Sequence, residues 1–197
     1  MLNAAGLTAT PRKAAALAGY VDEIRRWNRV HNLTAVSEPD AMVRRHVIES
    51  LSLRPMLEGS RIADIGSGVG APGLPLAIME PCRHFTLIES RGKRAAFRRH
   101  VQGRLGLENI AVKHCRVEFM IDAGPFDTLL ARAVASPGKV LRLSAGLFGR
   151  ETVLLMPVGK RAVGEPLPGN DQFDVRCEAP AGPWSGGGLL VARRKRE

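Results

Sequence analysis

The chain has 197 residues, 45% apolar and 24% charged, with a formal net charge of +10. That length fits one domain with an appendage, and no apolar run approaches the ~20 residues that span a bilayer. Three scattered cysteines, Cys82, Cys115 and Cys177, argue against a disulfide framework or a CxxC metal site. No charged-then-apolar leader opens the chain, so a reducing, cytoplasmic setting is expected. The charge excess is not a detachable tail. Residues 1–60 carry +2, residues 61–160 carry +7 and residues 161–197 carry +1. A basic centre of this kind suits a polyanion, most often nucleic acid, or is simply a basic surface.

In chain order, Thr10-Pro11 reads as an N-cap followed by Pro at the first helical position. Leu17, Val21, Ile24, Trp27 and Val30 then mark one apolar helix stripe. Ser37 is placed to cap a second helix running to about Leu53. From there the pattern alternates. Strands are predicted at Arg61–Ile65, His84–Glu89, Ile110–Lys113, Thr128–Ala131 and Thr152–Met156. Helices are predicted at Ala71–Met79, Lys93–Leu105 and Pro137–Leu147, with a short turn near Arg116–Met120. Alternation implies a mostly parallel sheet covered on both faces. Gly159–Asp171 reads as a loop. Phe173–Cys177 and Leu189–Arg193 form a final antiparallel pair. The expected division is a helical extension over 1–58 and a core over 59–197.

Ile62-Ala63-Asp64-Ile65-Gly66-Ser67-Gly68-Val69-Gly70-Ala71-Pro72-Gly73 is the informative segment. It is a strand, an acid at the strand's end, a glycine turn and a helix start. Glycines allow positive φ and let a ligand lie against bare backbone. Gly68–Gly73 is a literal GxGxxG, and Glu89 ends the second strand where a ribose-binding acid is expected, so a dinucleotide is one reading. S-adenosylmethionine is the other. Asp64, ahead of the first glycine, would repel a pyrophosphate but suits the cationic end of a methionine moiety. Glu89 accepts from ribose hydroxyls equally well there. This arrangement resembles the signature of class I methyltransferases, a Rossmann-like seven-stranded sheet with an antiparallel last strand, here preceded by N-terminal helices.

More of the chain resembles one family, the bacterial 16S rRNA (guanine-N7) methyltransferases (RsmG, formerly GidB), over about residues 20–157. The resemblance is carried by Trp27-Asn28 with Asn32-Leu33-Thr34, by His46 with Glu49-Ser50-Leu51, and by the glycine segment with Pro75-Leu76. Glu89-Ser90, Lys93-Arg94, Arg116-Val117-Glu118, Phe126-Asp127 and Arg132-Ala133 complete it. It implies methyl transfer from S-adenosylmethionine to N7 of a guanine in the 530 loop of 16S rRNA, in a monomer acting on rRNA or a small-subunit precursor in the bacterial cytoplasm, without metal or membrane. Gly66 and Ala71 would contact the cofactor in the loop, Val117 and Glu118 would lie beside its adenine, and Arg132 would face the same site. With Asp64, Gly68 and Glu89 these make the expected cofactor set. Ala71 stands where a larger apolar residue is common and Glu89 where Asp is frequent. The family's Lys-Gly after the fifth strand is interrupted here, so Lys160 is left without a role. A methyltransferase acting on another RNA, a protein or a small molecule is the alternative function; an NAD-binding enzyme and a non-catalytic RNA-binding module are more distant ones.

Guanine N7 bears a lone pair and no proton, so no general base is required, and no His/Asp couple stands near the strand ends. Arg132, at the carboxyl end of the fourth strand, holds the methionine carboxylate or donates to guanine O6; otherwise it pairs with Asp64 or Asp127. Arg91, Lys93, Arg98 and Arg99 belong to a run without acids and face phosphates or only solvent, with Arg94 on the buried stripe of Phe97, Val101 and Leu105. Arg44, Arg45 and His46 are further RNA-contact candidates. The five histidines lack ligand spacing, so no metal is expected.

Overall fold

Thr10 caps the first helix as its sequence dictates, its hydroxyl accepting from Lys13 N at 3.4 Å. The computed structural model describes residues 2, 5–120, 123–159, 172–178 and 187–195; Lys160 and most of the expected loop to Asp171 lie outside them. Helix α1 (Pro11–His31) buries Leu17, Tyr20, Val21 and Ile24. Val30 is 74% exposed, so the stripe ends one step earlier than its periodicity suggests, at Trp27 packed on Phe97 and His100. Asn32, in the left-handed region, stops the helix.

The second helical stretch is capped by Glu38, not Ser37: Glu38 Oε2 accepts from Ala41 N at 2.7 Å. It runs as α2 (Pro39–Met42), a π-helical segment (Val43–Ile48) and α3 (Glu49–Leu51). Such wide turns are often found at functional sites, and this one carries His46.

The strands are β1 (Arg61–Ile65), β2 (His84–Ile88), β3 (Ile110–Lys113), β4 (Phe126–Ala131), β5 (Phe148–Val158), β6 (Phe173–Glu178) and β7 (Gly188–Arg194). They form one sheet in the order β3-β2-β1-β4-β5-β7-β6. β7 alone runs antiparallel to its neighbours β5 and β6. Successive residues of the central strands alternate between two apolar clusters. Ile62, Leu130 and Leu155 face α1, α4 (Gly73–Met79) and α5 (Gly92–Leu105); Ala63, Leu129 and Leu154 face α6 (Pro137–Ser144). This period of two, buried on both sides, is what a doubly covered sheet demands. β5 begins four residues before its predicted start; its first residues pair with β4 at Phe148 before a register shift. Among the described residues no helix is long and apolar enough to cross a membrane.

Strand order reverses between β1 and β4, whose carboxyl ends open the crevice where such sheets bind ligands. Gly73 sets how closely α4 meets that point: a Cβ there would lie 2.5 Å from both Asp64 Oδ2 and Leu87 Cδ2. Gly73→Ala is expected to destabilise by at least ~2 kcal/mol through overpacking. Gly103→Ala, with nothing within 4 Å on α5, is expected to stabilise by ~0.5–1 kcal/mol. Urea unfolding midpoints of the two variants check both signs.

Candidate functional site

The turn after β1 owes its path to three glycines in the left-handed region, Gly66 (φ 62°), Gly68 (φ 61°) and Gly70 (φ 88°). Polar groups hold it from beneath. Asp64 is fully buried; its Oδ2 accepts from Gly73 N at 2.8 Å. Tyr20, from α1, donates its hydroxyl to Val69 O at 3.1 Å. Arg98, from α5, donates Nη2 to Gly68 O at 3.1 Å and to Glu89 Oε2 at 2.9 Å. Burial lifts the Asp64 carboxyl to about 6, with the Arg98 guanidinium as the main opposing influence.

Arg98 therefore does not face RNA, contrary to the sequence expectation. Its side chain is 0% exposed, because it continues the inward row Arg94, Arg98, Val101, Leu105 at helical spacing. That spacing was the signal available in the sequence. Arg94 is half-buried, its guanidinium 4.0 Å from where a Gly68 Cβ would lie. Arg91, Lys93 and Arg99 are exposed, as is Arg44.

Above the turn lies a cavity of about 220 Å³ at the carboxyl ends of β1 to β4. Gly66, Val117 and Glu118, all expected at the cofactor, line it together with Ser90, Val134 and Ala135. Cys115, Lys139 and Leu143 also line it; sequence reasoning missed these, although the residues just past strand ends are where such folds place ligand contacts. Asp64, Gly68, Ala71 and Glu89 are not in its wall. Ala71 is buried, and Glu89, 4% exposed, is held by Arg98 and by Arg91 N, which donates to Oε1 at 2.9 Å. Gly68 is part of the turn itself; Asp64 bonds Gly73 N at its far end, and Glu89 holds the Arg98 that bonds Gly68 O. A Gly66 Cβ would lie 3.0 Å from Val134, so the bare backbone there keeps the cavity open.

A second cavity, of about 290 Å³, adjoins the first at Ala135, which lines both. Arg45, Arg132, Pro137, Met156 and Pro157 are in its wall. Arg132 pairs with neither Asp64 nor Asp127. Asp127 instead accepts from Ser60 N and Arg61 N at 2.7 and 2.8 Å. The Arg132 guanidinium donates to Arg45 O at 2.7 Å, meets His46 Nδ1 at 3.3 Å and lies 3.8 Å from Glu49 Oε2. His46 is buried beneath it and so is not an RNA contact. A guanidinium only donates, so Nδ1 must accept and Nε2–H points to Thr34 Oγ1, 3.4 Å away. Burial, then Arg132 and Arg45, push His46 down to about 3. A larger cavity of about 590 Å³, between Arg150, Asp174 and Arg194 at the opposite end of the strands, has no glycine cradle.

A sheet in this order with one reversed strand, a glycine cradle after β1 and a cavity over it define a class I methyltransferase fold. A methyltransferase from Geobacter sulfurreducens superposes with a TM-score of 0.61 at 16% identity, covering 96% of this chain and 93% of that one. A point mutant of MtNAS in complex with S-adenosylmethionine superposes at 0.56 and 17% identity, covering 94% and 72%. The family model for rRNA small subunit methyltransferase G (GidB) matches residues 13–176. Proteins named ribosomal RNA small subunit methyltransferase G from Yersinia pseudotuberculosis (strain YPIII) and Yersinia pestis (strain Pestoides F) are each 46% identical over 136 residues, 69% of this chain. The matched part spans 66% of those relatives' own length. The chain belongs to the rRNA small subunit methyltransferase G family. The dinucleotide reading of Gly68–Gly73 has nothing left to support it.

His46 and Asp64 act on stability in opposite senses. His46 titrates near 3 in the fold against an ordinary 6.5. The unfolded chain binds its proton first, so this stability is present above 6.5 and is lost as pH falls from there towards 3. Asp64 titrates near 6 against 3.8. The folded chain binds its proton first, so that contribution is present below 3.8 and is lost as pH rises through 6. His46→Gln is expected to flatten the loss of thermal midpoint between about pH 6.5 and 4.5. Asp64→Asn is expected to exceed the wild type by up to ~2 kcal/mol above about pH 6.5, with the gap closing towards pH 4. Melting curves across that range check both.

Proposed function

We propose that the protein transfers a methyl group from S-adenosylmethionine to N7 of a guanine in the 530 loop of 16S rRNA, as free rRNA or within a small-subunit precursor. The observation that carries this reading is the pair of adjoining cavities. One is built on the glycine cradle and the other holds Arg132, with Ala135 between them. Family membership and the basic centre of the chain favour rRNA as the acceptor. In this reading 1–58 is a helical extension packed on a methyltransferase core over 59–197.

The residues fit the donor. Its bare-backbone wall at Gly66, the carboxylate of Glu118 and the apolar side of Val117 suit a polar nucleoside, and Glu89 behind Ser90 fixes the end of β2. When bound, S-adenosylmethionine supplies an electrophilic sulfonium methyl. Guanine N7 offers a lone pair and loses no proton, so no side chain has to act as a base. Placement and local field then carry the rate. Arg132 lines the second cavity and is itself locked by Arg45 O, His46 and Glu49, which suits a fixed donor to a guanine edge.

Methyl transfer to 30S subunits, with nucleotide mapping of the product, tests the reading; transfer to another RNA or to protein, but not to 30S subunits or 16S rRNA, would replace it. Arg132→Ala is expected to lower transfer at least ~10-fold, and a variant with full transfer and full donor affinity removes Arg132 from the site. kcat is expected to show no rising limb from about pH 6.5 to 8.5, for want of a base to deprotonate. Neutralising Arg91, Lys93 and Arg99 together is expected to reduce the salt slope of RNA binding by ~2; an unchanged slope leaves them as solvated surface.

A further inference from the structure

Among the described residues three large apolar side chains are exposed, Val30, Phe119 and Val134. Val134 lines the donor cavity, and Phe119 follows directly on two residues that do. Phe119 is 72% exposed in a chain with few aromatics. It ends the 3-10 turn Val117–Phe119 that follows β3. The turn is fixed, not a loose tip. Phe119 N donates to Arg116 O at 3.1 Å and Met120 N to Val117 O at 3.0 Å. Three residues per turn put Val117 and Met120 on the same, inward side, where both pack into the cluster beneath α6. That geometry sends Phe119 outward. Its neighbours Val117 and Glu118 line the cavity, whereas its own ring does not. Arg116 and Lys139, exposed cations on the same rim, have no ion-pair partner among the described residues.

We infer that Phe119 is a stacking platform for an unpaired base of the rRNA substrate, with Arg116 and Lys139 meeting the phosphates beside it. The inference rests on the rRNA reading above. A phenyl face flanked by cations is the chemistry that holds single-stranded RNA: bases splay out and stack on aromatic rings while the backbone is neutralised. Water gains nothing from a fixed ring at a cavity mouth, and the core does not use it. The donor's adenine is the competing occupant, disfavoured because the ring lies outside the cavity wall.

The full-length protein is compared with Phe119→Ala, Phe119→Leu and Phe119→Tyr. Three quantities are measured: KM for 30S subunits, affinity for a short single-stranded RNA of the 530-loop sequence by fluorescence anisotropy, and affinity for S-adenosylmethionine by calorimetry. Phe119→Ala and Phe119→Leu are expected to weaken both RNA readouts about 10-fold, with donor affinity and melting temperature unchanged. Phe119→Tyr, which keeps the flat ring, is expected to stay near wild type. Wild-type RNA binding in Phe119→Leu overturns the inference, as does a fall in donor affinity that accounts for the lost transfer. A wild type that transfers nothing to 30S subunits or rRNA overturns the proposed function instead; the anisotropy series still decides whether Phe119 stacks bases.

Discussion

Arg98 carries a guanidinium to a place with no exposure to water, and the glycine turn hangs on it. One of its nitrogens reaches both Gly68 O and Glu89 Oε2, while Nε and Nη1 have no partner among the described residues. Taking two charges out of water costs several kcal/mol per ion even after relaxation. A buried ion pair is therefore weak evidence of added stability. What the ion pair supplies is direction. A stretch with three left-handed glycines has the largest backbone entropy to lose, and apolar contact would not fix where its carbonyls point. Arg98 and Tyr20 hold two successive carbonyls, Gly68 O and Val69 O, from α5 and α1. Asp64 holds the far end through Gly73 N. The cradle is thus fixed by polar bonds from three elements, all from behind the turn.

The same logic recurs around Arg132, with different elements. Asn28 Oδ1 accepts from Thr34 N at 2.9 Å, which turns the chain after α1. Thr34 then meets His46, and His46 meets Arg132. The Trp-Asn and Asn-Leu-Thr segment is far from Arg132 in sequence, yet it ends on it. Trp27 and Leu33 anchor the segment in the core, while Asn28 and Thr34 relay its position. The wide turn around His46 brings Arg45 O and Glu49 to the same guanidinium. This gives the helices before the sheet a physical task at its carboxyl edge.

Much of this was legible in the sequence and some was not, for reasons particular residues show. β1 and β3 were readable to the residue, because each is a short apolar run with a polar or turn signal at either end. β5 is legible only from Thr152: Gly149, Arg150 and Glu151 look like turn residues, and the ladder to β4 passes over them, from Phe148 opposite Phe126 to Val153 opposite Thr128. The glycine turn declared itself by composition. The roles of Asp64, Glu89 and Arg98 did not, because a charged residue's direction depends on what packs behind it. Asp64 and Glu89 are acids at strand ends in either case; that both are buried, Glu89 against Arg98, follows only from what packs behind them. Arg98 itself was hidden by its type. An arginine in a basic run reads as surface, although helical spacing put it on the apolar row. His46 was hidden for the same reason, preceded as it is by two exposed arginines.

An acceptor with no proton to lose leaves the field as the main thing side chains can shape. On the N7 reading, positive charge moves from sulfur to the purine as the methyl moves, so a cation beside the purine opposes the reaction. Arg132 and Arg45 both line the second cavity, and alone they would raise that barrier. Glu49, whose side chain is 1% exposed, lies 2.9 Å from Arg45 and 3.8 Å from Arg132. A carboxylate so placed offsets one of the two positive charges while leaving their donors in position. His46, driven to its neutral form, adds an acceptor without adding charge. The arrangement therefore supplies guanidinium hydrogen bonds with less positive potential than two bare cations would carry. That combination is what orienting a guanine, without repelling the cation it becomes, requires.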